Sequence, residues 1–203
     1  MRSVTSVDYL YQSLMDKSPL LIGGIGKTRL GQVWVAFSQH GLIAVEFGIS
    51  RPVFEAAVRK QTHRDIEYVS YHGVRSLREA PWQGSTSTIL AATRQIKEYL
   101  DGRRRAFDLK IDWSVLCSDF QRSALKAVFA IPYGKTCTYG EVAAQIGYPN
   151  APRAVGRANA TNPMPLVIPC HRLIGTDGKL HGYGGKGGLK TKAWLLKLEG
   201  ADY

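Results

Sequence analysis

The chain predicts an α/β N-terminal domain followed by a mainly helical C-terminal domain with a helix-turn-helix. Three patterns carry this: β-type alternation over 31–48, a helical repeat over 89–100, and two short capped segments in close succession after residue 137. Val33, Val35 and Phe37 alternate with Trp34 and Ala36 before a Ser-Gln-His-Gly turn, and Leu42 to Phe47 is β-rich again, so 31–48 reads as a hairpin. Pro52 to His63 reads as a helix, and Glu67 to Tyr71 as a further strand. Ile89, Ala92, Ile96 and Leu100 recur at helical spacing toward Gly102. Arg103-Arg104-Arg105 and Asp108 to Asp112 read as the link, which places the domains at 1–109 and 110–203. Such a charge run is usually a solvated face.

In the second half, Phe120, Ala124, Leu125, Val128 and Phe129 form an apolar helical face that ends at Pro132-Tyr133-Gly134. Thr138 with Glu141 three residues on is a capping box opening a short helix that stops at Gly147. Asn150 is the expected cap of the next helix, with Pro152 in its first turn, and Pro163 excludes helical geometry at Asn162. Two short helices around a brief turn make a helix-turn-helix. The segment Met164 to Pro169 reads as strand-like. Gly-Lys-Thr triplets begin at Gly26 and Gly134, but a phosphate loop needs a glycine five positions earlier, where Leu21 and Phe129 stand.

Lys and Arg number 27 against 16 Asp and Glu, a formal charge of +11 in 203 residues, which points to a polyanionic partner. The distribution sharpens this: no acidic residue occurs from Val142 through Thr176, where Arg153, Arg157 and Arg172 fall. Three cysteines, Cys117, Cys137 and Cys170, suit a reducing, cytoplasmic setting better than a disulfide framework. No apolar run approaches the roughly 20 residues of a membrane span, and the N-terminus lacks a secretion signal. A membrane partner is therefore not expected.

The chemistry centres on Ile168-Pro169-Cys170-His171-Arg172-Leu173. A thiol beside imidazole and guanidinium is a nucleophile candidate, because cationic neighbours favour the thiolate. A buried structural cysteine is the plain alternative. The helix over 151–160 carries Ala151, Ala154, Gly156, Ala158 and Ala160, so one side is nearly bare of bulk and suits a narrow groove. The DNA minor groove is about 6 Å wide and poor in sequence information, which fits a protein acting at any site. Tight packing within its own domain is the competing explanation for that helix.

With Tyr139-Gly-Glu-Val-Ala upstream, Asn162-Pro163 between, and Gly182-Tyr183-Gly184-Gly185 and Lys192-Ala-Trp194-Leu-Leu-Lys-Leu-Glu199-Gly downstream, the chain resembles the O6-alkylguanine-DNA alkyltransferases, also called methylated-DNA–protein-cysteine methyltransferases, over about residues 115–201. The resemblance implies a ribonuclease-H-like N-terminal domain and a winged-helix-like C-terminal one. It implies DNA repair by irreversible, single-turnover transfer of the alkyl group from O6-alkylguanine to Cys170, with O4-alkylthymine a second candidate substrate. No cofactor is implied. Some members hold zinc through N-terminal cysteines, but this chain has none before Cys117, so no metal is expected.

The family's residue roles map onto this sequence. Arg153 is the finger that replaces the flipped nucleotide in the duplex, with a phosphate contact as the alternative. Ala151, Ala154, Gly156 and Arg157 share the DNA-facing helix. Tyr139 helps to turn the target phosphate and returns a proton to guanine; a core aromatic is its plain alternative. Asn162 is the hinge between the helix-turn-helix and the reactive segment. Glu199 orients His171, which takes the Cys170 proton through a water. Tyr183 walls the pocket, Gly184 offers a backbone N–H to the O6 atom, and Leu173 and Pro165 complete the lining. The loop Gly184-Gly-Lys186-Gly-Gly188 is about two residues longer than the family pattern, which leaves pocket width open. A monomer on double-stranded DNA is expected, with clustering along DNA left open. The rivals are a lesion-binding protein without transfer, a helix-turn-helix regulator responding to alkylation, and a Cys-His-Glu hydrolase.

Overall fold

The computed structural model describes residues 18–68, 85–116 and 118–203. The N-terminal half is built on four strands, β1 (Leu20–Thr28), β2 (Gly31–Ser38), β3 (Gly41–Phe47) and β4 (Ile66–Tyr68), ordered β3-β2-β1-β4. β1, β2 and β3 are antiparallel neighbours, and β4 runs parallel to β1. The expected hairpin is β2–β3, turning at Ser38–Gly41. β1 goes beyond the sequence reading, and the first Gly-Lys-Thr triplet lies within it. Its glycines hide the strand signal for a packing reason: a Cβ at Gly23 would stand 2.3 Å from Ile89 Cγ2, so only glycine lets the helix over the sheet approach this closely.

Alternation then separates two apolar faces. Leu20, Ile22, Trp34 and Ala36 face helix α1 (Arg51–Thr62) through its Phe54 and Val58. Leu21, Val33, Val35, Phe37, Val45 and Phe47 face helix α2 (Ser85–Leu100) through Ile89, Ala92 and Ile96. α1 ends where His63 takes a left-handed φ of 54°. The expected strand over 67–71 is found as β4 up to Tyr68, and 69–71 lie outside the described residues. The three-arginine run is a set of structural contacts: Arg103 pairs with Asp101, Arg104 with Glu98, and Arg105 covers the Tyr133 ring.

The C-terminal half contains helices α3 (Asp119–Phe129), α4 (Tyr139–Gln145), α5 (Pro152–Ala160) and α6 (Leu189–Glu199), with a short parallel pair, β5 (Cys137–Thr138) and β6 (Leu173–Ile174). Ser118 caps α3 by accepting from Gln121 N at 3.1 Å. Phe129 departs from the predicted apolar face: it is 40% exposed and lies edge-on to Trp113 at the surface. The Thr138–Glu141 capping box is present with both reciprocal bonds. Asn150 does not cap α5. The N-cap is Ala151, without a side-chain bond, and its N–H instead closes a turn onto Tyr148 O at 2.9 Å. Proline at the first turn removes one N–H donor that a cap would have satisfied.

Met164 to Pro169 is a compact turn rather than a strand. Ile168 N donates to Met164 O at 2.8 Å, and buried Leu166 has a φ of 74°, a conformation costly for a branched side chain. The two halves share one continuous apolar cluster, from Leu21 and Ile96 to Val155 and Leu195. The edge of β3 is covered by the second half: Leu42 bridges Ile111, and Val45 N donates to Pro163 O at 2.8 Å. Among the described residues no helix is long and apolar enough to cross a membrane.

Candidate active site

Cys170, His171 and Arg172 form a single 3-10 turn, buried throughout, between the Met164–Pro169 turn and β6. Two asparagines from the end of α5 hold the backbone entering it. Asn162 Nδ2 donates to Ile168 O at 2.9 Å while its Oδ1 accepts from Met164 N at 3.0 Å, and Asn159 Nδ2 donates to Cys170 O at 3.2 Å. The end of α5 and the residues just past it are thereby tied on both sides of Pro169 to the segment bearing the thiol.

The turn points its second and third residues at Glu199, the last residue of α6. His171 Nε2 donates to Glu199 Oε1 at 2.9 Å, and Arg172 makes two parallel bonds to the carboxylate, Nε to Oε2 and a terminal nitrogen to Oε1, each at 2.9 Å. Tyr99 Oη donates to Oε1 at 2.6 Å, and Gly134 N to Oε2 at 3.0 Å. Arg172 also donates to Ile131 O. Burial alone would raise the Glu199 carboxyl, but the bonds from His171, Arg172 and Tyr99 outweigh it and hold the group well below the usual carboxylate range. The buried carboxylate expected from the helical stripe is thus present, with His171 as one of several partners.

The expectation that His171 and Arg172 favour a Cys170 thiolate is corrected. Arg172 turns to Glu199, and burial drives the His171 pKa down, so the imidazole is neutral at pH 7. Burial pushes the Cys170 thiol up to about 11, against the pull of an Asn162 hydrogen bond and of Lys192. The cation that acts on the sulfur is therefore Lys192, twenty-two residues downstream. Lys192 is fully buried on α6, donates to His181 O at 2.6 Å and lies 5.8 Å from the centre of the Tyr139 ring. Burial lowers it to about 8, with the Cys170 charge acting the other way. Half-buried Glu46 on β3, its carboxyl raised by burial, opposes a thiolate electrostatically.

Tyr139 opens α4 and donates to the same carbonyl, His181 O, at 3.3 Å; burial and the Cys170 charge raise its pKa. Gly184 is exposed and lies against the end of α5, where a Cβ would stand 2.8 Å from Ala160 O. Pro165 is buried in its turn, while Leu173 is fully buried in the common core and pairs with Cys137. Core packing thus accounts for Leu173 without a role as an open wall.

On α5, Arg153 and Arg157 are exposed one turn apart, and Ala151, Ala154 and Gly156 are partly exposed. Ala158 does not belong to that bare side: it is buried with Val155 and Asn159 against the domain. Sequence reasoning passed over Tyr99, Asn159 and Lys192. A lysine interrupting the buried stripe of α6 was the available signal for the last.

Among the described residues, three buried side-chain N or O atoms have no hydrogen-bond partner: His171 Nδ1, Tyr183 Oη and Asn159 Oδ1. Asn159 and His171 bond or adjoin Cys170, and the Tyr183 phenol, its pKa raised by burial, also senses the Cys170 charge. Unpaired buried polar atoms are costly, and two of these three belong to residues that bond or adjoin Cys170.

Residues 119–201 match the family model described as "6-O-methylguanine DNA methyltransferase, DNA binding domain". The methylated-DNA–protein-cysteine methyltransferase of Methanosarcina acetivorans is 43% identical over 138 residues, spanning 67% of this chain and 86% of its own. That of Methanosarcina barkeri is 49% identical over 120 residues, spanning 59% and 73%. Among solved structures, Mycobacterium tuberculosis OGT in complex with DNA aligns with a TM-score of 0.67 at 33% identity, over 89% of this chain and 92% of that one. The O6-methylguanine-DNA methyltransferase of Pyrococcus kodakaraensis, at 20% identity and TM-score 0.53, supports the fold alone. The reactive turn, its Glu199 anchor and these likenesses converge, and the chain belongs to the methylated-DNA–protein-cysteine methyltransferase family.

Proposed function

We propose that this protein repairs DNA by moving the alkyl group of O6-alkylguanine to Cys170. The observation that carries the reading is the buried Cys170 thiol on a turn that Asn159 and Asn162 hold, next to a His171 anchored on Glu199 whose Nδ1 is buried and unpartnered. His171 spends its Nε2 proton on Glu199, so Nδ1 bears the lone pair and is the acceptor for the Cys170 proton through a bridging water. Both groups are neutral in the free protein, so proton removal belongs to the reacting complex. The Cys170 sulfur attacks the alkyl carbon, a C–S bond forms, the C–O6 bond breaks, and its electron pair leaves with guanine. Tyr139 returns a proton to the base and regains one from solvent. The thioether is not cleaved again, so each molecule acts once. Gly184 offers its N–H to O6, and Tyr183 and Pro165 line the pocket.

DNA is the partner. Exposed Arg153 and Arg157, with the small residues Ala151, Ala154 and Gly156, suit the minor groove, and Arg153 fills the gap left by the flipped base. The Asn159 and Asn162 bonds to the reactive segment support Asn162 as the hinge between DNA reading and chemistry. The finer architecture follows the family: a ribonuclease-H-like unit over 1–109 and a winged-helix-like unit over 110–203, acting as a monomer in the cytoplasm. A lesion binder without transfer is not favoured, since the nucleophile is present and buried in a prepared site.

The test is stoichiometry. Duplex DNA carrying a radiolabelled O6-methyl group should lose label to protein up to one methyl per molecule and then stop, and Cys170→Ala should take none. Continued turnover, or label on the Cys170→Ala protein, would overturn the proposal.

A further inference from the structure

The segment that exceeds the family pattern contains Lys186-Gly187 and lies just beyond Tyr183 and Gly184. It is a built structure. The Lys186 ammonium donates to Gly48 O, just past the end of β3 in the other half of the molecule. Thr191 Oγ1 closes the same turn by donating to Lys186 O at 2.7 Å, and Gly188 N donates to Gly185 O at 3.1 Å. A Cβ at Gly185 would stand 2.6 Å from both Phe47 Cζ and Tyr183 Cε1, so the backbone is wedged between β3 and the pocket tyrosine. A Cβ at Gly48 would stand 2.7 Å from Lys186 Cδ, and Gly48 sits at a φ of +69° that side chains rarely adopt. A cleft of about 460 Å³ bordered by Arg29, Gln32, Ile49, Lys186 and Thr191 flanks this contact.

We propose that Lys186 is a specificity-determining latch: held on Gly48 O, it fixes residues 183–186 as a narrow wall of the alkyl pocket, so that the N-terminal half of the molecule limits the size of group transferred. The inference rests on the alkyl-transfer reading above. Lys186 touches neither the thiol nor the base; it acts through Tyr183 and Gly184. Releasing it frees the wall to retreat toward the cleft, which favours a bulky alkyl group and lowers the preorganisation that a methyl group needs.

The experiment compares single-turnover rates of the full chain, Lys186→Met and Lys186→Arg on two duplexes of one sequence, carrying O6-methylguanine or O6-benzylguanine. The benzyl-to-methyl rate ratio should rise about fivefold in Lys186→Met, the factor one ordinary hydrogen bond supports, and Lys186→Arg should restore it. Amide hydrogen exchange should quicken over 184–188 in Lys186→Met and return to the wild-type rate in Lys186→Arg. An unchanged ratio, or an equal fall on both duplexes, would overturn the latch. No transfer from either duplex by the wild-type chain would overturn the function reading, and the latch with it.

Discussion

The two ends of one 3-10 turn are built on opposite principles. At the Arg172 end, Glu199 accepts five hydrogen bonds from four residues, and nothing is left for a ligand to satisfy. At the Cys170 end, the thiol is buried, and Asn159 and His171, which bond or adjoin Cys170, each keep one buried polar atom without a partner. His171 joins the two, with one ring nitrogen in each. The contrast teaches that the conspicuous Cys-His-Arg tripeptide divides its labour. Its arginine and histidine are both anchored on Glu199, while its cysteine is the proposed alkyl acceptor.

Breaking the framework end should have the largest effect. Glu199→Gln leaves the buried Arg172 guanidinium without its charge partner, and loss of one member of a buried pair costs about 3–5 kcal/mol. Urea denaturation should show a lowered midpoint, whereas Cys170→Ala should shift it far less, because removing the sulfur uncovers no charge. Equal midpoints for Glu199→Gln and wild type would dissolve the distinction. The DNA face should respond next. Arg153→Ala should slow reaction with duplex DNA about tenfold while leaving the rate on free O6-benzylguanine nearly unchanged, since only the duplex requires base flipping. Equal losses on both would move Arg153 into the pocket.

The smallest effect sharpens the chemical end. With Cys170 pushed up to about 11, its iodoacetamide labelling, followed by peptide mapping, should keep rising above pH 10, where an ordinary thiol of pKa about 8.5 has reached its plateau. The linkage has the matching sign. The fold holds this proton more tightly than the unfolded chain, so the stability it carries is complete below about pH 8.5 and is lost as pH rises toward 11. A labelling plateau near neutrality would mean that the free protein already holds a thiolate.

The parts legible from sequence were those with local causes. Helical spacing located α2, the Thr138–Glu141 box opened α4, and Pro169-Cys170-His171-Arg172 marked a turn that the structure buries. Parts set by distant packing were not legible. β1 was not read from the sequence: its Gly23 is there because α2 presses against the sheet through Ile89, and its Gly24 because the Trp34 ring of β2 lies against it. Tyr99 sits on a buried helical stripe, where an aromatic reads as core; its hydroxyl meets Glu199 only because the fold closes over 100 residues. The influence of Arg172 on the thiol was misjudged because adjacency in sequence says nothing of side-chain direction within a 3-10 turn, and the nearby cation came from α6 instead.

The chemical end of the turn is expected to take up the alkyl group. The most direct test is peptide mass mapping after incubation with a duplex containing O6-methylguanine. The expected result is a gain of one CH2 unit on the peptide holding Cys170, with the peptides of Cys117 and Cys137 unchanged. Loss of the methyl group from DNA with Cys170 unmodified would contradict it.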